Sequence, residues 1–225
     1  MNADKSFGLK IVSELPWYFI GLDLGQSRDY SALAVVERAE IFRDEMDWVH
    51  YERQRGRRFR VRYLQRVRLG TPYPDVVARV RSVAQGGAVA GRCTLVMDAT
   101  GVGAPVLDLL RAAGLGCGIE PVILTGGERE THAGGAWHVP KRDLMVGLRV
   151  MLEQGELGLS RRVGMAEVLA GEMGAVQARV RGSGREVFGA VGRGHDDLVM
   201  ACALACWRAR WKGGGVWGTR SLGLG

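Results

Sequence analysis

No stretch of this chain approaches the roughly 20 consecutive apolar residues that a bilayer-spanning helix requires, and its longest apolar runs are broken by Arg or Asp. The opening MNADKSFGLKIVSELP contains acids and lacks a continuous apolar stretch, so it is not expected to act as a secretory signal. Cysteine is scarce. Cys93, Cys117, Cys202 and Cys206 all sit in apolar segments and read as reduced core thiols, which points to the cytoplasm. Cys202 and Cys206 have a helical spacing that suits a shared metal, but no second pair lies nearby to complete the site. There is no G-x-x-x-x-G-K-[ST] phosphate loop, and no Ser-His-Asp or Cys-His arrangement placed for covalent catalysis. Lysine is nearly absent too, at four of the 31 basic residues.

With 225 residues, 47% of them hydrophobic and 24% charged, the chain has the composition of a globular domain; disorder and collagen-like structure are excluded. Its formal charge is +7, carried almost wholly by Arg, the better of the two bases for planar phosphate contacts. A GC-rich genome would also supply Arg codons, and with them the 34 glycines. The distribution is more telling: eight arginines and no acid lie between Arg53 and Arg68.

Residues 1–16 read as an irregular lead-in, 17–211 as one folded domain and 212–225 as a flexible tail. Short apolar runs predict strands at WYFIGLDLG (17–25), SALAVVER (31–38), a basic alternating segment from Phe59, CTLVMDA (93–99) and IEPVILT (119–125). In the third of these, Phe59, Val61, Tyr63, Val67 and Leu69 would share one face, with Arg60, Arg62, Arg66 and Arg68 opposite. Residues 39–58 read as an excursion or extra hairpin, and 126–137 as a flexible loop or exposed hairpin. Helices are expected from Asp75, after Gly103, after Pro140, over Ala166–Val180 and over GHDDLVMACALACWRARW. The strand-helix-strand run from 93 to 125 makes part of the sheet parallel.

The informative residues are acids in apolar surroundings. Asp23 interrupts a buried strand, Asp98 ends another, and Asp196 and Asp197 open an apolar helix. An ionised carboxylate in such a place is costly without a compensating positive charge. No Lys or Arg lies close in sequence, whereas one or more divalent cations would serve all of them, and an all-oxygen donor set selects Mg²⁺ or Mn²⁺. Helix capping is the competing explanation for Asp196 and Asp197.

WYFIGLDLGQSRDYSALAVVER, LVMDATGVGAPVLDLL, VPKRDLMVGLRVMLEQGEL and GHDDLVMACALACW, taken in order, resemble the nuclease domain of phage terminase large subunits, the DNA-packaging motors. The resemblance covers residues 17 to 211. It implies an RNase H-like α/β fold, a mixed five-stranded sheet flanked by helices on both faces. It also implies two divalent cations, Mg²⁺ or Mn²⁺, and endonucleolytic hydrolysis of DNA phosphodiesters to 5′-phosphate and 3′-hydroxyl ends. Asp23, Asp98 and Asp197 match the family's metal ligands, with Asp196 binding more loosely. Asp29 is either a supporting acid or a turn residue, and His195 either assists proton transfer or caps the helix. The partners implied are double-stranded DNA, an upstream ATPase domain, a small terminase subunit and a portal; without a phosphate loop, this chain is expected to be the nuclease alone.

Arg60, Arg62, Arg66, Arg68, Lys141 and Arg142 are candidate phosphate contacts, although arginines on a strand also guard a sheet edge. Three alternatives stand beside this reading. GLDLGQSRDYSALAVV and DATGVG also suit the phosphate loops of an actin-like or sugar-kinase ATPase, for which the chain is short. A Holliday-junction resolvase type of nuclease shares the expected fold, and a non-catalytic DNA-binding module would need no intact acids.

Overall fold

A computed structural model describes residues 15–25, 29–47, 52–101, 103–180, 186–190 and 195–211. The tail and all but the last two residues of the lead-in lie outside the described residues. The five expected strands form the centre of the sheet: β1 (Trp17–Asp23), β2 (Ala32–Asp47), β3 (Glu52–Arg66), β4 (Cys93–Asp98) and β5 (Gly118–Thr125). Their spatial order is β3-β2-β1-β4-β5. β1 pairs antiparallel with β2, as their short connection allows, and parallel with β4, while the helical β4–β5 crossover makes that pair parallel too.

The sheet is wider than expected. β6 (Thr131–Ala133) and β7 (Ala136–Pro140) extend it beyond β5, and β8 (Leu157–Leu159) pairs with β3, giving eight strands among the described residues. The glycine-rich 126–137 segment is therefore largely a hairpin. Residues 39–58 lengthen β2 and β3 into a long ribbon, whose tip at 48–51 lies outside the described residues.

Alternation along the strands sorts their side chains to two cores. Tyr18, Ile20 and Leu22 of β1, with Leu95 and Met97 of β4, pack against α1 (Tyr73–Ala84) and α2 (Gly103–Ala112). Phe19 and Val96 point the other way, toward α3 (Lys141–Glu153), α4 (Ala166–Ala175) and α5 (Asp197–Arg210). α5 is apolar all round because it is enclosed, with Leu198, Met200, Leu204 and Cys206 all buried. Trimming any of these leucines to Ala would cost about 2–5 kcal/mol.

Two expectations are corrected. The helix over Ala166–Val180 ends at Ala175, and the chain continues as β9 (Val176–Val180), which pairs with β10 (Glu186–Ala190). The second correction concerns β3, where the register slips by one residue between the pairs Val35–Tyr63 and Val36–Val61. This bulge reverses the alternation. Leu64 is buried and Tyr63 exposed, and Leu69 is exposed beyond the strand end. Arg66 turns toward the α5 side, so the four arginines of this segment do not form one row.

Candidate metal centre

Glycine sets the register of α5 on the sheet. A side chain on Gly21 would collide with the Ala201 carbonyl, its Cβ lying 1.8 Å from that oxygen, so the helix backbone rests directly on β1. Asp23 lies two residues beyond Gly21, about 6.6 Å along the strand. Asp197 lies four residues before Ala201, about 6 Å along the helix. The one close contact therefore brings Asp197 over Asp23.

β4 supplies the next acid. Gly21 pairs with Val96 and Leu22 with Met97, so Asp23 and Asp98 end adjacent parallel strands side by side, with the parity that faces α5. Gly25 allows the return of the chain: a Cβ there would lie 2.1 Å from the Asp29 carbonyl oxygen, and its N–H donates to Ser31 Oγ at 3.1 Å. Both glycines of the G-x-D-x-G motif thus face protein backbone.

Four carboxylates converge at this end of the sheet, and their electrostatics show it. Burial pushes the Asp23 carboxyl well above its ordinary range, and repulsion from Asp98, Asp197 and Asp196 adds to the rise, with Lys141 offsetting part of it. Asp98 is raised mainly by burial and partly relieved by the Thr100 N–H, which donates to Oδ1 at 2.7 Å. Asp197 is raised by burial; Arg66 and His195 oppose the rise, and Asp196 and Asp29 add to it. Asp29 and His195 are thus within electrostatic reach of the centre, and both are exposed.

The helix-borne acids have cations. Lys141, at the start of α3, donates from Nζ to Asp196 Oδ2 at 2.8 Å. Arg66 Nε lies 3.3 Å from Asp197 Oδ2, and His195 Nδ1 lies 3.9 Å from the same oxygen. Asp196 occupies the N-cap position of α5 but makes no capping bond, so capping does not account for it.

The cap comes instead from Glu172 on α4, which is 8% exposed and was not anticipated. Its Oε2 accepts the Leu198 and Val199 N–H groups at 3.1 and 3.3 Å, while Oε1 accepts from Arg66 Nη2. AEVLAGEMGA holds two acids, and of these Glu167 is exposed while Glu172 is buried.

The remaining candidates divide by position. Arg66 pairs with Ala32, which pairs with Asp23, so the end of β3 lies at the acidic end of the sheet and exposed Arg68 follows it. Arg60 pairs with Glu37, and Glu37 with Tyr18, which places it toward the opposite end. Arg62 pairs with Glu37 at 3.2 Å, and Arg142 lies 3.4 Å from Asp143. The Arg66 guanidinium is turned inward over the Tyr30 ring. Cys202 and Cys206 are buried within α5.

As the side chains lie, no three His, Cys, Asp or Glu residues among the described ones are gathered closely enough to hold a metal ion. Two features nevertheless fit a hard divalent ion. The donors are carboxylate oxygens on three elements, and buried Asp197 Oδ2 accepts no hydrogen bond despite the nearby Arg66.

The fold and this acidic end define an RNase H-like α/β domain. Over 188 residues, 84% of the chain, the sequence is 27% identical to the terminase large subunit of Thermus virus P23-45, of which the match spans 31%. The large terminase nuclease of thermophilic phage G20c, solved with bound magnesium, is 25% identical and superposes with a TM-score of 0.57, covering 86% of this chain and 82% of that one. The nuclease domain of the Thermus phage P74-26 large terminase has the same fold, with a TM-score of 0.58 at 23% identity over 88% of this chain and 83% of that one. No family model matches the sequence. The chain is thus similar in sequence and in fold to the nuclease domains of phage terminase large subunits. No helix among the described residues is long and apolar enough to cross a membrane.

Proposed function

We propose that this domain is a divalent-metal-dependent DNA endonuclease acting in phage genome packaging, in the cytoplasm of an infected bacterium. The observation that carries the reading is the placing of Asp23, Asp98, Asp196 and Asp197 by three separate elements at one end of the sheet, where Asp23 is burdened by the other three. Magnesium bound in a 25%-identical structure of the same fold supports it. In the assembled motor, an ATPase domain, a small subunit and a portal would be its partners.

Asp23, Asp98 and Asp197 would hold Mg²⁺ or Mn²⁺, with Asp23 central and Asp196 contributing more loosely because Lys141 already engages it. A pair of bound cations would supply an activated water and charge neutralisation at the leaving 3′ oxygen. The chain's own contribution is placement. Gly21 fixes the helix-borne acid over the strand-borne ones, Lys141 balances the surplus negative charge, and exposed His195 stands where a proton can pass to solvent. Arg68 and Arg142 flank this end and would contact backbone phosphates, giving sequence-independent, salt-sensitive binding. Arg66 has no such role, since its guanidinium is engaged inside the domain.

The test is Mn²⁺-dependent nicking of supercoiled plasmid by the wild type and by Asp23→Asn and Asp98→Ala. Loss of nicking in both variants with the fold intact is expected; unchanged nicking in either would overturn the assignment. Equal cleavage of a four-way junction and linear duplex supports the packaging nuclease over a junction resolvase.

A further inference from the structure

We propose that Glu172 is a positioning residue that keeps Asp197 available to a metal, by capping α5 and by limiting Arg66 to a single Nε contact with that acid. The proposal rests on the reading of the acidic cluster as a metal centre. A guanidinium next to a carboxylate ordinarily closes into a two-bond fork. Arg66 does not do this with Asp197. Its Nη2 donates to Glu172 Oε1, and Nε, although 3.3 Å from Asp197 Oδ2, makes no hydrogen bond with it.

Three further contacts hold this geometry. The Arg66 guanidinium lies over the Tyr30 ring, 4.9 Å from its centroid. Tyr30 in turn meets His195 edge-on at 5.0 Å. The Arg66 backbone N–H donates to Sδ of Met165, whose positive φ of 64° opens the turn into α4. The other Glu172 oxygen takes the N–H groups of Leu198 and Val199, the positions an N-cap side chain normally serves. Asp196, relieved of that task, points to Lys141. The carboxylate of Glu172 thus takes the capping N–H groups and Nη2 of Arg66, and leaves Asp197 with only the 3.3 Å approach of Arg66 Nε.

The measurement is Mn²⁺ affinity, from calorimetric titration of the purified chain with manganese chloride. Glu172→Gln keeps an oxygen for the two N–H groups but releases Arg66 toward Asp197, and should weaken binding on the order of tenfold. Removing the competitor as well, in Arg66→Gln/Glu172→Gln, should restore affinity to near the wild-type value. A merely structural Glu172 would lower the melting temperature without moving the affinity, and its loss would not be rescued by a second substitution. If Glu172→Gln binds Mn²⁺ as tightly as wild type, or the double variant binds no better than the single one, the proposal is overturned. Should Glu172→Gln not fold, weak binding by the folded double variant overturns it equally. Failure of the underlying reading looks different: Mn²⁺ would not bind the wild type, or would bind Asp23→Asn unchanged.

Discussion

The two halves of the acidic cluster are built on opposite principles. Asp23 and Asp98 sit on rigid strand ends, raised by burial and, for Asp23, by its neighbours; Lys141 alone offsets them as a side-chain cation. Asp196 and Asp197 sit at a helix start, each beside its own base. Among the described residues the strand acids make no ion pair, whereas each helix acid makes one, although burial still raises Asp197. On the proposed reading, a cation would meet the strand acids unpaired and would have to compete with Lys141 and Arg66 for the helix acids.

The sharpest way to break this contrast is to neutralise each half in turn. Asp23→Asn should cost at least about a hundredfold in Mn²⁺-dependent nicking, since metal-borne charge stabilisation is worth several kcal/mol. Asp196→Asn should cost much less, because Lys141 already takes up much of its charge. Equal losses would remove the distinction between the halves. Separating the halves physically is the next largest effect. Gly21→Ala would wedge β1 from α5 and cost about 3 kcal/mol or more, seen as a lowered denaturation midpoint.

A smaller effect runs in the opposite direction. The folded Asp23 carboxyl titrates above its ordinary range, so the metal-free fold binds more protons than the unfolded chain in the interval between. Its stability is greatest below the ordinary carboxylate range and declines as pH rises through the elevated one; Asp98, Asp197 and Glu172 act with the same sign. Asp23→Asn should therefore raise the metal-free melting temperature at neutral pH by a few degrees and flatten its pH dependence. The smallest effect concerns phosphate contacts. Arg68→Ala should reduce the slope of log affinity against log salt for duplex DNA by about one. Arg60→Ala, at the far end of the same segment, should leave it unchanged.

The strand half was legible in the sequence because it follows from local rules. Asp23 and Asp98 stand out against apolar neighbours at the ends of short strands; the direct pairing of β1 with β4 is seen in the sheet order. The helix half was only partly legible. α5 and its acids could be read, but the groups that compensate them lie far away in sequence. Arg66 was assigned to an outer basic row by simple alternation, and one bulge in β3 reversed its direction. Glu172, 106 residues from Arg66, sits in a weakly amphipathic helix rich in Ala and Gly, where periodicity offered no guide to what faces inward. β9 was missed because its segment continues α4 without a break, and tertiary pairing with β10 overrides local helical character there.

α5 supplies one of the principal acids and much of one core, and it comes last among the described elements. A nascent chain on the ribosome therefore carries Asp23 and Asp98 long before Asp197 emerges. A translation product broken off before that point lacks both Asp197 and the helix that packs over β1 and its Asp23.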